Sequence, residues 1–421
     1  MNDEVDYVVV SQRQLDDVIK LHQKFLEGDT GGSRCIMKFM DLSGLNLKGK
    51  NMSNADFTGA LLKGADLSEG NFENSSFFAA DLSKANLENG RFKRSDFRGA
   101  VLSNANLFSA DLQKADLREG VIMQGKGEDW DDYEKAISKK KKRTKTIFMG
   151  AKLSQANLSG TRAMGADFTD TNMHGTLLQA SDLREAKFVN ANLSDVDLSG
   201  SDLRKANMKG SIMIRTILDN IEKQGADFTD VITEDSLNKA LNMLEEPLDD
   251  LMLVHEEWIK SQGKSGNQLD LSHYDLRNQR QLSKYILTAI KANAANFVHL
   301  NLSDCQMQFA QLDKADLRDT IIRNTDLRSS SLKKALLSRA DLTGSNFSAV
   351  QVKTQKGMVD VKANFSYAKL QCAVLKRCNM QNAILVGADL SYADLKECDL
   401  RGADLEDAIL DGANIKDAFT D

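Results

Sequence analysis

The sequence predicts a solenoid, one array of short repeated units standing where conventional domains would, and three observations predict it. A large apolar residue falls at every fifth position from Met37 through Ile122, eighteen in succession, and neither a helix nor a strand has a period of five. The composition does not suit a bulky core: of 421 residues 6% are aromatic and one is proline, while Leu, Ala, Asp, Ser and Asn abound. Phenylalanines recur twenty residues apart, at Phe57, Phe77 and Phe97, at Phe72 and Phe92, and at Phe148, Phe168 and Phe188.

The unit is visible in ADFTGALLKGADL at 55–67. Two residues before each large one the position is small, as at Ala55, Ala60, Ala65, Gly70, Ser75 and Ala80. Asp or Asn usually stands just before the large residue, and Ser, Thr, Lys or Arg just after it. The pattern resumes from Phe148 to Leu218, reappears at Phe228, and runs again from Phe297 to Val352 and from Phe365 to Ile415.

This small–polar–large–polar–polar unit resembles the pentapeptide-repeat family, A(D/N)LXX, over about four fifths of the chain. The resemblance implies an all-β solenoid: a right-handed quadrilateral parallel β-helix, four pentapeptides per turn, with a few capping α-helices. The large residue and the small one two before it point inward, and the other three face solvent. The phenylalanine spacing agrees with a four-sided turn, because stacking like on like fills the interior at near-crystal density. A narrow tube with one large and one small residue per side also accounts for the composition. Each buried Leu or Phe contributes roughly 1.5–3 kcal/mol, and neighbouring turns add nearly linearly.

Open tube ends expose apolar side chains and unpaired backbone, so they need covers. LDDVIKLHQKFLEG at 15–28 aligns without gaps with LDDLMLVHEEWIKS at 248–261. Apolar residues recur at helical spacing in both, at Leu15, Val18, Ile19, Phe25 and Leu26, and at Leu248, Leu251, Met252, Trp258 and Ile259. Each leads through a Gly/Ser-containing linker to DLS, at 41–43 and 270–272. The plan is a cap helix followed by a tube, duplicated. Between the copies, ITEDSLNKALNMLEEP (232–247) reads as another helix with Leu237, Leu241 and Leu244 on one face, set off by Pro247.

The expected organisation follows. Residues 1–232 form a cap helix plus β-helix with a loop insertion at 123–147. Residues 233–262 form a helical linker and second cap. Residues 263–421 form a second β-helix, irregular through Leu276, Leu282 and Leu287, with a short insertion at 353–362. At the far end Ala418 and Phe419 either fold over the last turn or meet a second chain. Family members of the quinolone-resistance type dimerise through their C-terminal ends, so the resemblance implies a homodimer there as one option.

Net charge is −6, too mild to predict a cationic partner and contrary to non-specific nucleic-acid binding by the whole chain. MNDEVDYVVVSQRQLDD has no basic leader before an apolar run, and no stretch approaches the ~20 apolar residues of a membrane span. Five cysteines without paired spacing fit a reducing compartment. The expected location is the cytoplasm.

Candidate chemistry is sparse. His22 and His255 hold matching places on the two cap helices, within the apolar stripe, and read as packed histidines; no metal-ligand spacing appears among the five histidines. Cys35, Cys305, Cys378 and Cys398 take the small inward position and read as filler, with Cys372 outward. QGKSG at 262–266 lacks the earlier glycine of a phosphate loop and has Trp258 there. HEEWI at 255–259 lacks the second histidine of a zinc-protease helix, and DWDDYE at 129–134 lacks Ca²⁺-loop spacing. Asp96-Phe97-Arg98 and Asp116-Leu117-Arg118, like Asp182-Leu183-Arg184 and Asp202-Leu203-Arg204, lie one turn apart and read as cross-strand charge ladders. No enzyme and no cofactor are expected.

The expected function is therefore a protein–protein interaction scaffold or adaptor on a rigid β-helix. Candidate contacts are the basic run Lys139, Lys140, Lys141, Lys142, Arg143 and Lys145, Trp130 and Tyr133 on the same insertion, and the outward aromatics Phe78, Phe108, Tyr367 and Tyr392. The alternative comes from the resemblance: some pentapeptide-repeat proteins mimic B-form DNA and occupy the DNA-binding saddle of gyrase. That needs a dense acidic surface, and here Lys and Arg hold outward positions almost as often as Asp and Glu.

Overall fold

The computed structural model describes residues 7–123, 141–233, 247–277, 282–354 and 357–420. It forms two compact units, Met1–Glu234 and Asp235–Asp421. In each, the chain coils so that residues twenty apart pair in parallel, as Asp56 does with Ser76 and Ser76 with Asp96. Columns of such pairs begin at Ile36, Asp41, Asn46 and Asn51, which makes four sides.

One pentapeptide shows why the unit has its composition. The amide of Ala55 donates to the Met52 carbonyl within the coil (3.1 Å), and that of Asp56 donates back one turn to Cys35 (3.0 Å). The amides of Phe57 and Gly59 donate forward one turn, to Ser76 (2.8 Å) and Phe78 (2.7 Å). That leaves Thr58, whose amide donates to Oδ1 of Asp56 at 3.1 Å. The residue before the large one is Asp or Asn because its side chain accepts the one amide the backbone ladder leaves over. Ser83 on Asp81 (3.0 Å), Ser159 on Asn157 (3.0 Å) and Ser391 on Asp389 (3.1 Å) repeat it. The fifth residue turns the corner in the left-handed region, at φ 64° for Asn54 and 57° for Asn74.

Inside, like stacks on like. Phe57, Phe77 and Phe97 lie nearly parallel at 5.1 and 4.9 Å between ring centroids, Phe72 on Phe92 at 5.2 Å, and Phe148, Phe168 and Phe188 at 4.9 and 5.0 Å. Gly70 and Gly90 make room for the neighbouring rings. A Cβ on either would sit 2.5 Å from Cε2 of Phe72 or Phe92. At Ser75 and Ser95 the small inward residue is polar and bonds to the coil, Oγ donating to the carbonyls of Met52 (2.8 Å) and Phe72 (2.7 Å).

The first unit opens with β1 (Val8–Val9), then α1 (Gln12–Glu27), and β1 pairs in parallel with β2 (Met40–Asp41). Helix α1 starts earlier than the apolar stripe predicts, because Ser11 and Gln14 close a capping box; Gly28, at φ 77°, ends it. It buries Leu15, Ile19 and His22, while Phe25, expected in the stripe, is exposed. The side-chain amide of Gln12 accepts from the Asn46 amide (2.8 Å) and donates to its carbonyl (3.0 Å), standing in for a strand at the tube's edge. In the second unit α2 (Leu248–Lys260), with Pro247 at its N-cap, buries Leu248, Met252 and His255. The helix expected across 232–247 lies largely outside the described residues. Leu276, Leu282 and Leu287 are all buried in the second core, one extra residue separating the first two.

Both insertions differ from the expected loops. The longer one leaves the coil on β3 (Gly120–Met123), which pairs antiparallel with β4 (Lys141–Thr144). Ile122 lies on β3, its backbone paired with Lys142. The shorter is a hairpin of β5 (Val350–Thr354) and β6 (Gly357–Val361), and Val352 pairs with Val359 rather than entering the tube. In both cases the coil resumes in register, Val101 pairing with Ile147 and Ser331 with Asn364.

Candidate interaction surfaces

The outer faces are built from charge pairs, some across turns as expected of ladders, but the four Asp-x-Arg triplets close chiefly within themselves. Arg98 grips Asp96 of its own unit with Nε on Oδ1 (2.9 Å) and Nη2 on Oδ2 (2.7 Å). Arg118 does the same to Asp116 (2.8 and 2.6 Å), Arg184 to Asp182 (both 2.8 Å), and Arg204 closes on Asp202 (2.9 and 2.6 Å). Two residues apart on a short strand, the partners meet bidentately with the carboxylate already fixed by its bond to the backbone. Pairs across turns stand beside these: Arg215 closes on Asp195 one turn away with Nε and Nη2 both at 2.6 Å, and Arg323 reaches Asp341 at 2.6 Å, while Arg162 lies 3.5 Å from Asp116 and Arg184 3.6 Å from Asp202.

These contacts fix protonation. Burial pushes the Asp116 carboxyl up, but Arg118 and Arg162 outweigh it and hold the group below its ordinary range. Arg184 and Arg204 lower Asp182 and Asp202, and in the second unit Arg401 brings Asp399 down to about 2. Carboxylates held this way stay ionised near neutral pH and have no proton to trade. The sequence reading missed one variant of the pattern: Arg318 on Asp316 and Arg339 on Asp319 are buried pairs, at 2.6 and 2.7 Å. Their D-x-R and twenty-residue spacings look like those of the solvated pairs, so only packing distinguishes them.

His22 and His255 are buried clasps between cap helix and tube. Nδ1 of His22 accepts the Cys35 amide at 3.0 Å, which places the ring proton on Nε2, facing the Ser53 carbonyl at 3.1 Å. Nδ1 of His255 accepts the Leu269 amide at 3.0 Å. Burial lowers the pKa of both rings; Arg34 adds to the effect at His22, while backbone bonds at Ser53 and at Thr288 oppose it. Four cysteines are buried, with Sγ of Cys305 donating to Leu282 (2.9 Å) and of Cys378 to Leu342 (3.0 Å). Burial raises Cys35 and Cys398 to about 12 and Cys305 to about 11, so these thiols are protonated. Among the described residues no group of three His, Cys, Asp or Glu side chains is placed to hold a metal ion.

The outward aromatics do not converge. Phe108 is 39% and Tyr367 58% exposed, whereas Phe78 and Tyr392 are half-buried. The Arg98 guanidinium covers Phe78 at 5.3 Å. Tyr392 lies over Gly412, where a Cβ would come within 2.6 Å of the ring, and Tyr367 lies over Gly387 in the same way. Phe78 and Phe108 follow inward residues of different columns, and Tyr367 and Tyr392 turn corners after different columns, at φ 59° and 58°.

Of the basic run, Lys141, Lys142 and Arg143 lie on β4 opposite Met123, Ile122 and Val121, and Lys145 is exposed beyond it. Lys139, Lys140, Trp130 and Tyr133 lie outside the described residues. Each hairpin is pinned at its stem by one hydroxyl. Oγ1 of Thr146 lies 3.0 Å from the Gly99 amide, 3.0 Å from the Phe97 carbonyl and 2.8 Å from that of Arg118. Oγ of Ser329 accepts the Val350 amide (3.1 Å) and donates to the Val361 carbonyl (2.8 Å).

The described features define a four-sided β-solenoid with paired-charge faces and two pinned hairpins. The family model for pentapeptide repeats (8 copies) matches residues from 35 to 120, 146 to 220, 287 to 353 and 361 to 419. The chain belongs to the pentapeptide-repeat family, and its coil is the right-handed quadrilateral β-helix of that family. Similar solved structures include QnrB1, a plasmid-mediated fluoroquinolone resistance protein, at 18% identity over 50% of this chain and 92% of that one, TM-score 0.30. Others are HetL of Nostoc sp. strain PCC 7120, involved in heterocyst differentiation regulation (20%, 94% and 95%, 0.16), and Rfr23 of Cyanothece 51142 (16%, 51% and 97%, 0.13). No curated protein matches the chain. No described helix is long and apolar enough to cross a membrane.

Proposed function

We propose that this chain is a non-enzymatic protein-interaction scaffold whose docking elements are the two hairpins. The observation that carries the reading is register: the coil pairs straight through both insertions, Val101 to Ile147 and Ser331 to Asn364. Each hairpin is thus an addition the tube does not need for its own closure, held in a fixed direction by Thr146 or Ser329. Loops on repeat proteins vary freely while the stacked core cannot, so binding gathers on them. The first hairpin brings the basic residues of β4, and with Lys139, Lys140, Lys145, Trp130 and Tyr133 forms the proposed hook for an acidic protein surface. The two units correspond to a duplicated cap-and-tube plan. Five cysteines without paired spacing fit a reducing compartment, and we assign the chain to the cytoplasm.

The alternative, modulation of DNA gyrase by DNA mimicry, needs rows of uncommitted carboxylates. Asp96, Asp116, Asp182 and Asp202 are instead each closed by an arginine, which favours the scaffold. A homodimer through the C-terminal coil draws on the exposure of Leu410, Ile415 and Phe419 there; sedimentation equilibrium reads it directly. A supercoiling assay with purified gyrase tests the choice between scaffold and mimic. No effect at micromolar protein is expected, and inhibition or protection at that concentration would put the mimic first.

A further inference from the structure

One side of the second tube changes charge along the tube's length. Four successive turns cross it at Ser331, Asn364, Ile384 and Asp404, each paired in parallel with the next. The first presents Ser331, Lys333 and Lys334 outward, and the last Asp404, Glu406 and Asp407. The two turns between are uncharged, with Asn364, Ser366 and Tyr367, then Ile384, Val386 and Gly387. Lys334, Tyr367, Gly387 and Asp407 turn the corner one below another. Lys333, Lys334, Glu406 and Asp407 are exposed and, unlike the Asp-x-Arg triplets, enter no ion pair among the described residues. Tyr367 is 58% exposed.

Such a face is complementary to itself. Turns lie about 4.8 Å apart, so the lysines and the acids stand equally far, about 7 Å, from the line midway between the Asn364 and Ile384 turns. A two-fold axis along that line, parallel to the strands, brings up a second copy antiparallel. Lys333 then meets Glu406 of the second copy, Lys334 meets Asp407 and Ser331 meets Asp404. The uncharged turns meet each other, with Tyr367 against the Gly387 corner. A copy slid by one turn loses both lysine pairs, and in one direction sets Asp313 against Glu406. A parallel copy sets lysine on lysine. Charge therefore selects one orientation and one register.

We infer that this side of the tube joins two copies of the chain in an isologous antiparallel dimer. It leaves Leu410, Ile415 and Phe419 unused and so differs from a dimer through the C-terminal coil. Four turns of one side make an interface at the small end of the protein–protein range. Its dissociation constant is on the order of tens of micromolar, rising with salt. The dimer doubles each hairpin and makes docking bivalent, yet the scaffold reading stands or falls without it.

The test is sedimentation equilibrium of the full chain from micromolar to submillimolar concentration. Lys333→Glu with Lys334→Glu, and Glu406→Lys with Asp407→Lys, each set like charges together and should be monomeric. Mixed, the two variants match at both ends of the face and should form a mixed dimer. All four substitutions in one chain should restore self-association. The positions are exposed, so circular dichroism should show every variant folded. Deleting 349–361 removes thirteen residues, the excess of the 33 between Ser331 and Asn364 over a turn of 20; it keeps the face and should keep the dimer. A parent monomeric throughout, or reversed variants whose mixture stays monomeric, would overturn the inference. A dimer indifferent to both reversals would overturn it in favour of the C-terminal coil, and one lost with the hairpin in favour of β5 and β6.

Discussion

Nδ1 of His22 accepts the backbone amide of Cys35 at 3.0 Å, the same contact that His255 makes with Leu269 at the head of the second tube. A proton on Nδ1 would abolish it. In both places a buried neutral imidazole ties the cap helix to the first coil.

Because burial lowers both histidine pKa values, the unfolded chain binds more protons than the folded one below about pH 6.5. The clasps' contribution is complete above that pH and is lost as pH falls toward the lowered folded values. Thermal unfolding should show the melting temperature dropping from pH 7 to pH 5. In His22→Gln with His255→Gln it should start lower, and that part of the slope should vanish. A second fall belongs to the carboxylates, such as Asp399, whose contribution is present above about pH 4 and lost toward pH 2.

The role of the polar residue before each large one predicts a sharp difference between two substitutions at Asp111, whose Oδ1 accepts the Gln113 amide at 3.1 Å. Asp111→Asn keeps an acceptor and should change stability by less than about 0.5 kcal/mol. Asp111→Ala orphans the amide and should cost roughly 1 kcal/mol. Urea denaturation of the three proteins distinguishes them.

Gly90 and Phe92 should be coupled. Gly90→Ala drives a methyl to 2.5 Å from the ring and should cost about 1–3 kcal/mol by overpacking. Phe92→Leu breaks the stack on Phe72 but frees space for the methyl. The double variant should therefore be less destabilised than the sum of the singles, by about 0.5 kcal/mol or more in a double-mutant cycle.

Ile147 follows Val101 by 46 residues, twenty-six more than a turn of 20. Deleting the twenty-six residues 121–146 brings Phe148 into the place five after Leu117. Circular dichroism should show an unchanged fold and a melting temperature within a few degrees of the full chain, since every large inward residue of the coil is kept and the buried Gly120 takes the small inward place of Thr146.

The tube was legible in the sequence because its inward positions are strict: Phe57, Phe77 and Phe97 can stack only if a turn has twenty residues. The hairpins were not, because Ile122 and Val352 keep the five-residue phase after the backbone has left the coil. The period records side-chain type, whereas leaving the coil is decided by pairing, β3 with β4 and β5 with β6. The Asp96–Arg98 clasp was taken for a ladder for a similar reason: neighbours two apart and twenty apart both lie within reach of a long guanidinium. Strand β1 is only two residues long, too short to leave a pattern.

The central claim is that the hairpins, not the tube, hold the partners. The most direct measurement is quantitative affinity capture from native lysate with three baits: the full chain, the chain lacking 121–146, and the chain lacking 349–361. The account predicts specific proteins captured by the full chain and lost with one deletion or the other, while both variants keep the melting temperature of the parent. An unchanged set of partners on all three baits would contradict it and place binding on the faces of the coil.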